Sequence, residues 1–296
     1  MAYTQKIIFY KTRNFSQKLN ATIEFIRQNI KPLGKAIVYI LGPLAILNGL
    51  LFAQYINFMF SNMAPQDPVN VQNPFAFITN PSYIGFIFLS MFSALLNFSV
   101  IFNFMRLYQN KYPEEITVTE ILNVSWRTIL PLFLISVLAA VFITSGFIAF
   151  IIPGFYLMIV LSLSLPILFF EGKGVFESIG RSFRLIRGKW WSTFGLLFVA
   201  TILMYAVSMI CILPFYVFYF ISIFSLMDQS GITTDTSSWW FQGGMTLSVM
   251  FMILGSFLTY SIPIVALSFQ YFNLVERQES VGLMSEIDQL GGTNKN

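Results

Sequence analysis

The chain has 296 residues, 56% hydrophobic and only 10% charged, with 34 phenylalanines, one cysteine and no histidine. A soluble domain carries roughly 25% charged residues, so the composition excludes a water-soluble globule, and it leaves no material for a disulfide scaffold, a Cys/His metal centre or histidine-based catalysis. The net charge of +4 does not point to nucleic acid, because the cations are spaced as in a membrane protein.

Residues 1–34 are charged and amphipathic and lack the short apolar core of a cleavable signal, so none is expected. Within them Phe15, Leu19, Ile23, Ile26 and Ile30 share one narrow arc of a helix, with Glu24, Arg27, Gln28 and Lys31 opposite. The first span is predicted over 36–60 and the second over 84–107, each near the 20 apolar residues that a bilayer requires. Thr117 and Glu120 form a T-x-x-E capping box, opening a second amphipathic helix with Val118, Ile121, Leu122, Ser125 and Ile129 on one face. Spans three and four follow at 130–151 and 154–170, joined by a two-residue turn. A third amphipathic helix carries Phe176, Ile179, Phe183, Ile186 and Trp190 on its apolar stripe. Glu177 and Arg181 stand beside that stripe at the favourable i,i+4 spacing. Span five is predicted over 191–213. The run on to Leu226 is too long for one span and too short for two, so a kink or break is expected at Pro214. Span six covers 244–273, and 275–296 is a cytoplasmic tail.

The cations then sort by gap. All seventeen lysines and arginines fall in the N-terminal segment, the second gap, the fourth gap and the tail; gaps 61–83, 152–153 and 226–243 carry none. Positive-inside bias puts both termini in the cytoplasm of a bacterial inner membrane, with Tyr83, Trp239 and Trp240 at the outer interface. The expected fold is therefore all-α: a polytopic bundle of six transmembrane helices with three cytoplasmic amphipathic interfacial helices. The order amphipathic helix, span, turn, span occurs three times, a weak helix-hairpin pseudo-repeat.

The chain offers little chemistry. There is no P-loop, GxSxG or GxGxxG motif, no metal-ligand spacing, and no ionisable residue well inside a span. Asp67, Asp228 and Asp235 read as solvated loop residues. No catalytic, cofactor or metal residues are assigned, and no cofactor is expected. Interfacial helices present cations to anionic headgroups, which makes Lys173, Arg181, Arg184, Arg187 and Lys189 candidate contacts for lipid or for a membrane-protein partner. Asn97, Asn103, Arg106, Glu171 and Gln270 are candidates for a polar cleft, against the simpler reading of interhelical hydrogen bonds.

Three stretches carry a resemblance. They are Ile152-Pro153-Gly154-Phe155-Tyr156 through Leu165-Pro166; Glu171-Gly172-Lys173-Gly174; and Arg181-Ser182-Phe183-Arg184-Leu185-Ile186-Arg187-Gly188-Lys189-Trp190-Trp191. Together they resemble the membrane domain that accompanies some glycerophosphodiester phosphodiesterases, and related six-span bacterial membrane proteins. Those share a PG turn, a proline near the end of the next span, an acidic residue and an R-S-x-x-L-x-x-G-x-[WF] segment. The tail from Phe269 to Arg277, with Gly282-Leu283-Met284 and Ile287-Asp288, is similar to a Bacteroidetes form. The resemblance covers about 150–190 and 265–291. It departs at Met158, Ile159 and Val160, where related chains carry an arginine, and the phosphodiesterase barrel is not expected here. It implies a membrane module without supplying a reaction. The sequence thus reads as a non-catalytic, lipid- or partner-binding membrane module, with a transporter or lipid-translocating carrier as the alternative.

Overall fold

An apolar run in hydrocarbon must satisfy every backbone N–H and C=O internally, which a helix does within one segment. The computed structural model describes residues 6–63, 75–227 and 238–284, and among these every regular element is helical. In chain order they are α1 (Phe15–Met63), α2 (Ala76–Thr79), α3 (Pro81–Asn110), a 3-10 turn (Pro113–Glu115), α4 (Val118–Ala149), α5 (Ile151–Ser162), α6 (Ser164–Glu171), α7 (Val175–Leu185), α8 (Trp190–Met227), α9 (Trp239–Thr259) and α10 (Ser261–Glu279). Counting α5 with α6 and α9 with α10, six helices are long and apolar enough to cross a membrane. Asp67, Asp228, Asp235, Ile287, Asp288 and Lys295 lie outside the described residues.

Proline sorts the helices in two ways. Its missing N–H and its ring both act on the residue four positions back. Pro166 acts on Ser162, where α5 ends, and Pro263 acts on Thr259, where α9 ends. Pro131 and Pro214, by contrast, lie inside α4 and α8. The break expected at Pro214 is therefore absent. α8 runs through it for 38 residues, about 57 Å at 1.5 Å per residue, because Phe215 and Phe218 on its far side pack into a core with Phe241. The first two amphipathic segments are likewise not separate helices. Residues 15–30 run on into the first apolar run as the 49-residue α1, and Val118–Ile129 is the first part of α4. Only α7 stands alone, held between Gly172 (φ 64) and Gly188 (φ 71), positions in the left-handed region that favours glycine.

The turn between α4 and α5 is also shifted. Its extended residue is Phe150 (φ −163, ψ 155), whose N–H bonds Gly146 O at 2.9 Å, so Pro153 and Gly154 sit in the first turn of α5. A Cβ on Gly154 would lie 2.4 Å from the Phe147 ring, so the tight hairpin requires glycine there, and one on Gly146 would press on Gly154 Cα at 3.0 Å. At the tip Ile148, Phe150 and Ile152 are largely exposed.

The chain divides into two compact units. The first comprises Met1–Ala36, Phe98–Met204 and Tyr260–Asn296. Its core is aromatic: Phe9 stacks on Tyr108 at 5.5 Å and meets the edge of Phe269 at 5.6 Å, while Phe25 meets Tyr108 at 5.0 Å. The loop before α1 thereby contributes to the core. The second unit comprises Ile37–Asn97 and Tyr205–Thr259. Ile56, Phe215, Phe241, Met245 and Val249 form its core cluster. Among the described residues every lysine and arginine belongs to the first unit and none to the second.

Candidate functional site

The sequence stripes and the buried faces do not coincide. In α1 the buried residues of the first unit are Lys18, Thr22, Phe25, Asn29, Leu33 and Ala36, at helical spacing, while Phe15, Ile23 and Ile30 face outward. In α7 Ser178, Ile179, Ser182 and Leu185 are buried, with Ile186 behind them, while Phe176 (75% exposed) and Phe183 face out. The serines satisfy themselves: Ser178 Oγ donates to Gly174 O at 2.9 Å and Ser182 Oγ to Ile179 O at 2.8 Å. Small hydroxyl residues allow close approach between helices where lipid already solvates the apolar side chains. Trp190, assigned by its spacing to this stripe, opens α8 instead and stacks on Phe194 at 5.4 Å and on Tyr156 at 6.2 Å.

Two charged clusters result. The first is neutralised. Glu171 receives Arg181 Nε at 2.5 Å, Lys173 Nζ at 2.8 Å and the Tyr271 hydroxyl at 3.0 Å, and Arg181 Nη2 reaches Glu279 at 2.7 Å. Burial pulls the Arg181 pKa down, but Glu171 and Glu279 outweigh it and hold the guanidinium above its ordinary value. The i,i+4 pair expected between Glu177 and Arg181 does not form, because two carboxylates from other elements take the guanidinium. Lys173 and Arg181 are thus engaged, whereas Arg184, Arg187 and Lys189 are exposed and have no ion-pair partner among the described residues.

Among the described residues the second cluster has no carboxylate. Lys18, 2% exposed, donates to Gln270 Oε1 at 2.6 Å and Ser192 Oγ at 3.0 Å; Gln270 passes the chain on to Thr193 Oγ1 at 2.8 Å. Arg13 is also buried. Its guanidinium bonds the backbone oxygens of Ile8 and Phe9 and stands 5.2 Å from the centre of the Phe269 ring. Burial lowers the Arg13 pKa. Arg277 braces the same corner, bonding Asn273 Oδ1 at 3.3 Å and Arg13 O at 3.2 Å, and Asn273 Oδ1 accepts the Arg13 N–H at 2.7 Å. Sequence reasoning missed Arg13, Lys18 and Arg277 as a group, since they looked like ordinary cations of a terminus and a tail. The available signal was the run Lys18, Thr22, Phe25, Asn29, a mixed polar face at helical spacing flanking the apolar stripe.

Of the five candidate cleft residues, Asn103 and Arg106 both stand at Thr128, while Gln270 and Asn97 have other partners. Asn103 Nδ2 bonds Ser99 Oγ, Ser125 Oγ and Thr128 Oγ1 at 3.2, 3.4 and 3.0 Å. Arg106 lines a recess of about 290 Å³ with Thr128 and the Gly172-Lys173-Gly174 loop next to Glu171. Gln270 belongs to the Lys18 chain described above. Asn97 belongs to the second unit, where its Nδ2 bonds Phe257 O at 3.2 Å. The Thr117–Glu120 capping box is half formed: Thr117 accepts the Glu120 N–H at 3.2 Å, while the Glu120 carboxylate turns to Lys111 at 2.6 Å. Among the described residues no three His, Cys, Asp or Glu side chains converge on a metal position. The chain matches no family model, no curated protein and no solved structure.

Proposed function

We propose that this chain is a non-catalytic, multi-pass module of a bacterial inner membrane, with both termini cytoplasmic, that holds anionic lipid headgroups and through them, or beside them, a membrane-protein partner. The observation that carries the reading is the outward surface of α7 and the start of α8. There Arg184, Arg187 and Lys189, free of carboxylate partners among the described residues, stand with exposed Phe176, Phe183 and Trp191. Water satisfies the cations and not the rings; hydrocarbon does the reverse; the headgroup boundary satisfies both. The outward Phe15, Ile23 and Ile30 of α1 and Leu122 and Trp126 of α4 fit the same boundary. In this reading α7 and the first parts of α1 and α4 are the three interfacial elements of the pseudo-repeat. The sorting of cations by gap supports the orientation, and the resemblance to six-span bacterial membrane domains supports the class.

Reconstitution tests it. In nanodiscs of phosphatidylcholine mixed with phosphatidylglycerol, the wild type should retain phosphatidylglycerol preferentially when released and weighed by native mass spectrometry. Each cation near an anionic surface contributes about 1 kcal/mol, so R184Q/R187Q should lower that preference roughly 30-fold. An unchanged preference would refute the reading.

A further inference from the structure

The first turns of α1 and α8 open on one recess of about 170 Å³, lined among others by Arg13, Lys18, Lys189, Arg277 and Ser192. Among the described residues that line it, four are cations and none is a carboxylate. The one acid next in sequence, Glu276, is turned away: its oxygens accept the N–H groups of Gly282 at 2.7 Å and Leu283 at 3.3 Å. Like charges confined this way repel, and a fold keeps them together only where something negative offsets them. Helix beginnings add to the demand, because each presents unpaired N–H groups and about half a positive charge. The first turn of α1 is capped by Asn14, which accepts the Gln17 N–H at 2.9 Å, and α8 opens on Trp190 with Lys189 before it and Ser192 in its first turn.

Donor capacity is left over. An ammonium has three N–H groups, and Lys18 spends two of them, on Gln270 and Ser192. A guanidinium has five, and Arg277 spends two, on Asn273 and Arg13. Lys189 has no side-chain bond among the described residues. The size is selective as well. Liquid water takes about 30 Å³ per molecule and a drug-sized ligand needs roughly 300 Å³ or more, so the recess suits a small tetrahedral anion with a few waters.

We infer that this recess is a phosphate-group site, in which Arg277 and Lys189 grip the anion from the open side while Lys18 and Ser192 form its floor. The ligand is either the phosphate of a lipid headgroup or free phosphate. The site does not rest on the interfacial reading of Arg184 and Arg187, and it is tested separately from it.

Purified full-length protein in mild detergent is titrated with inorganic phosphate and followed by thermal unfolding, and the same protein is released from phosphatidylcholine–phosphatidylglycerol nanodiscs for native mass spectrometry. Lys189 and Arg277 are exposed, so K189Q/R277Q should fold. The expected result is one bound phosphate group per chain, weakened at least tenfold in K189Q/R277Q and still present in R184Q/R187Q, which loses only the additional phosphatidylglycerol held at the α7 surface. Stabilisation by inorganic phosphate assigns the free anion; retention of one phosphatidylglycerol without that stabilisation assigns the headgroup. If neither probe binds, or K189Q/R277Q binds as the wild type does, the site is overturned.

Discussion

The two units bury different kinds of polar group. In the second, the buried groups are neutral. Asn48 Nδ2 bonds Leu44 O at 2.9 Å and Ser93 Oγ at 3.0 Å, and its Oδ1 accepts from Ser90 at 2.9 Å. Asn97 closes onto a backbone oxygen. The first unit buries ions: Arg13, Lys18, Glu171 and Arg181 all have little exposure. The difference follows the cost of each group. A neutral amide in a low-dielectric interior needs only a hydroxyl or a carbonyl, whereas a charge needs a counter-charge or a hydrated boundary. Within the first unit the lesson repeats, since Glu171 neutralises one set of cations while Arg13, Lys18, Lys189 and Arg277 have no ion-pair partner among the described residues.

The largest effect should come from E171Q. It strips the shared carboxylate from Arg181 and Lys173 and leaves mostly buried cations, a loss of about 3 kcal/mol measured by unfolding in mild detergent. A change below about 1 kcal/mol would mean that the neutralised cluster does not hold the first unit together. N48L makes the matching change in the second unit. Membrane hydrogen bonds average about 0.6 kcal/mol and reach about 1.7 kcal/mol, so its cost should sit in that range; a loss as large as that of E171Q would erase the contrast between the units. E177Q should be the smallest, within about 0.5 kcal/mol. Glu177 has no ion pair among the described residues. A loss comparable to that of E171Q would show that Arg181 is shared with its own helix after all.

The helices and their order were legible because apolar length and the placement of lysine and arginine are properties of the chain itself. The inward faces were not. In water an apolar stripe marks the core, but in lipid the tails are as apolar as leucine. Ser178 and Ser182 go in while Phe176 and Phe183 go out, and Thr22 and Asn29 are buried while Ile23 and Ile30 are not. Proline was legible only as a type: Pro166 and Pro263 end helices, Pro131 and Pro214 do not. The partners of Glu171 were hidden by distance along the chain, since Tyr271 is 100 residues away. The recess at Lys18 was hidden for the same reason, being built from the loop before α1, the turn before α8 and the end of α10.

The one-residue turn at Phe150 has a consequence for biosynthesis. No charged residue stands between Arg127 and Glu171, and the tip at Ile148, Phe150 and Ile152 offers only hydrocarbon and a backbone whose Phe150 N–H is already bonded. Passing one lysine, arginine or aspartate to the middle of a membrane during insertion costs about 2.5–3.5 kcal/mol. The α4–α5 hairpin carries none across. In the proposed membrane placement it can enter the bilayer as a closed pair, with no loop to be threaded through and no stretch of chain left waiting in water on the far side.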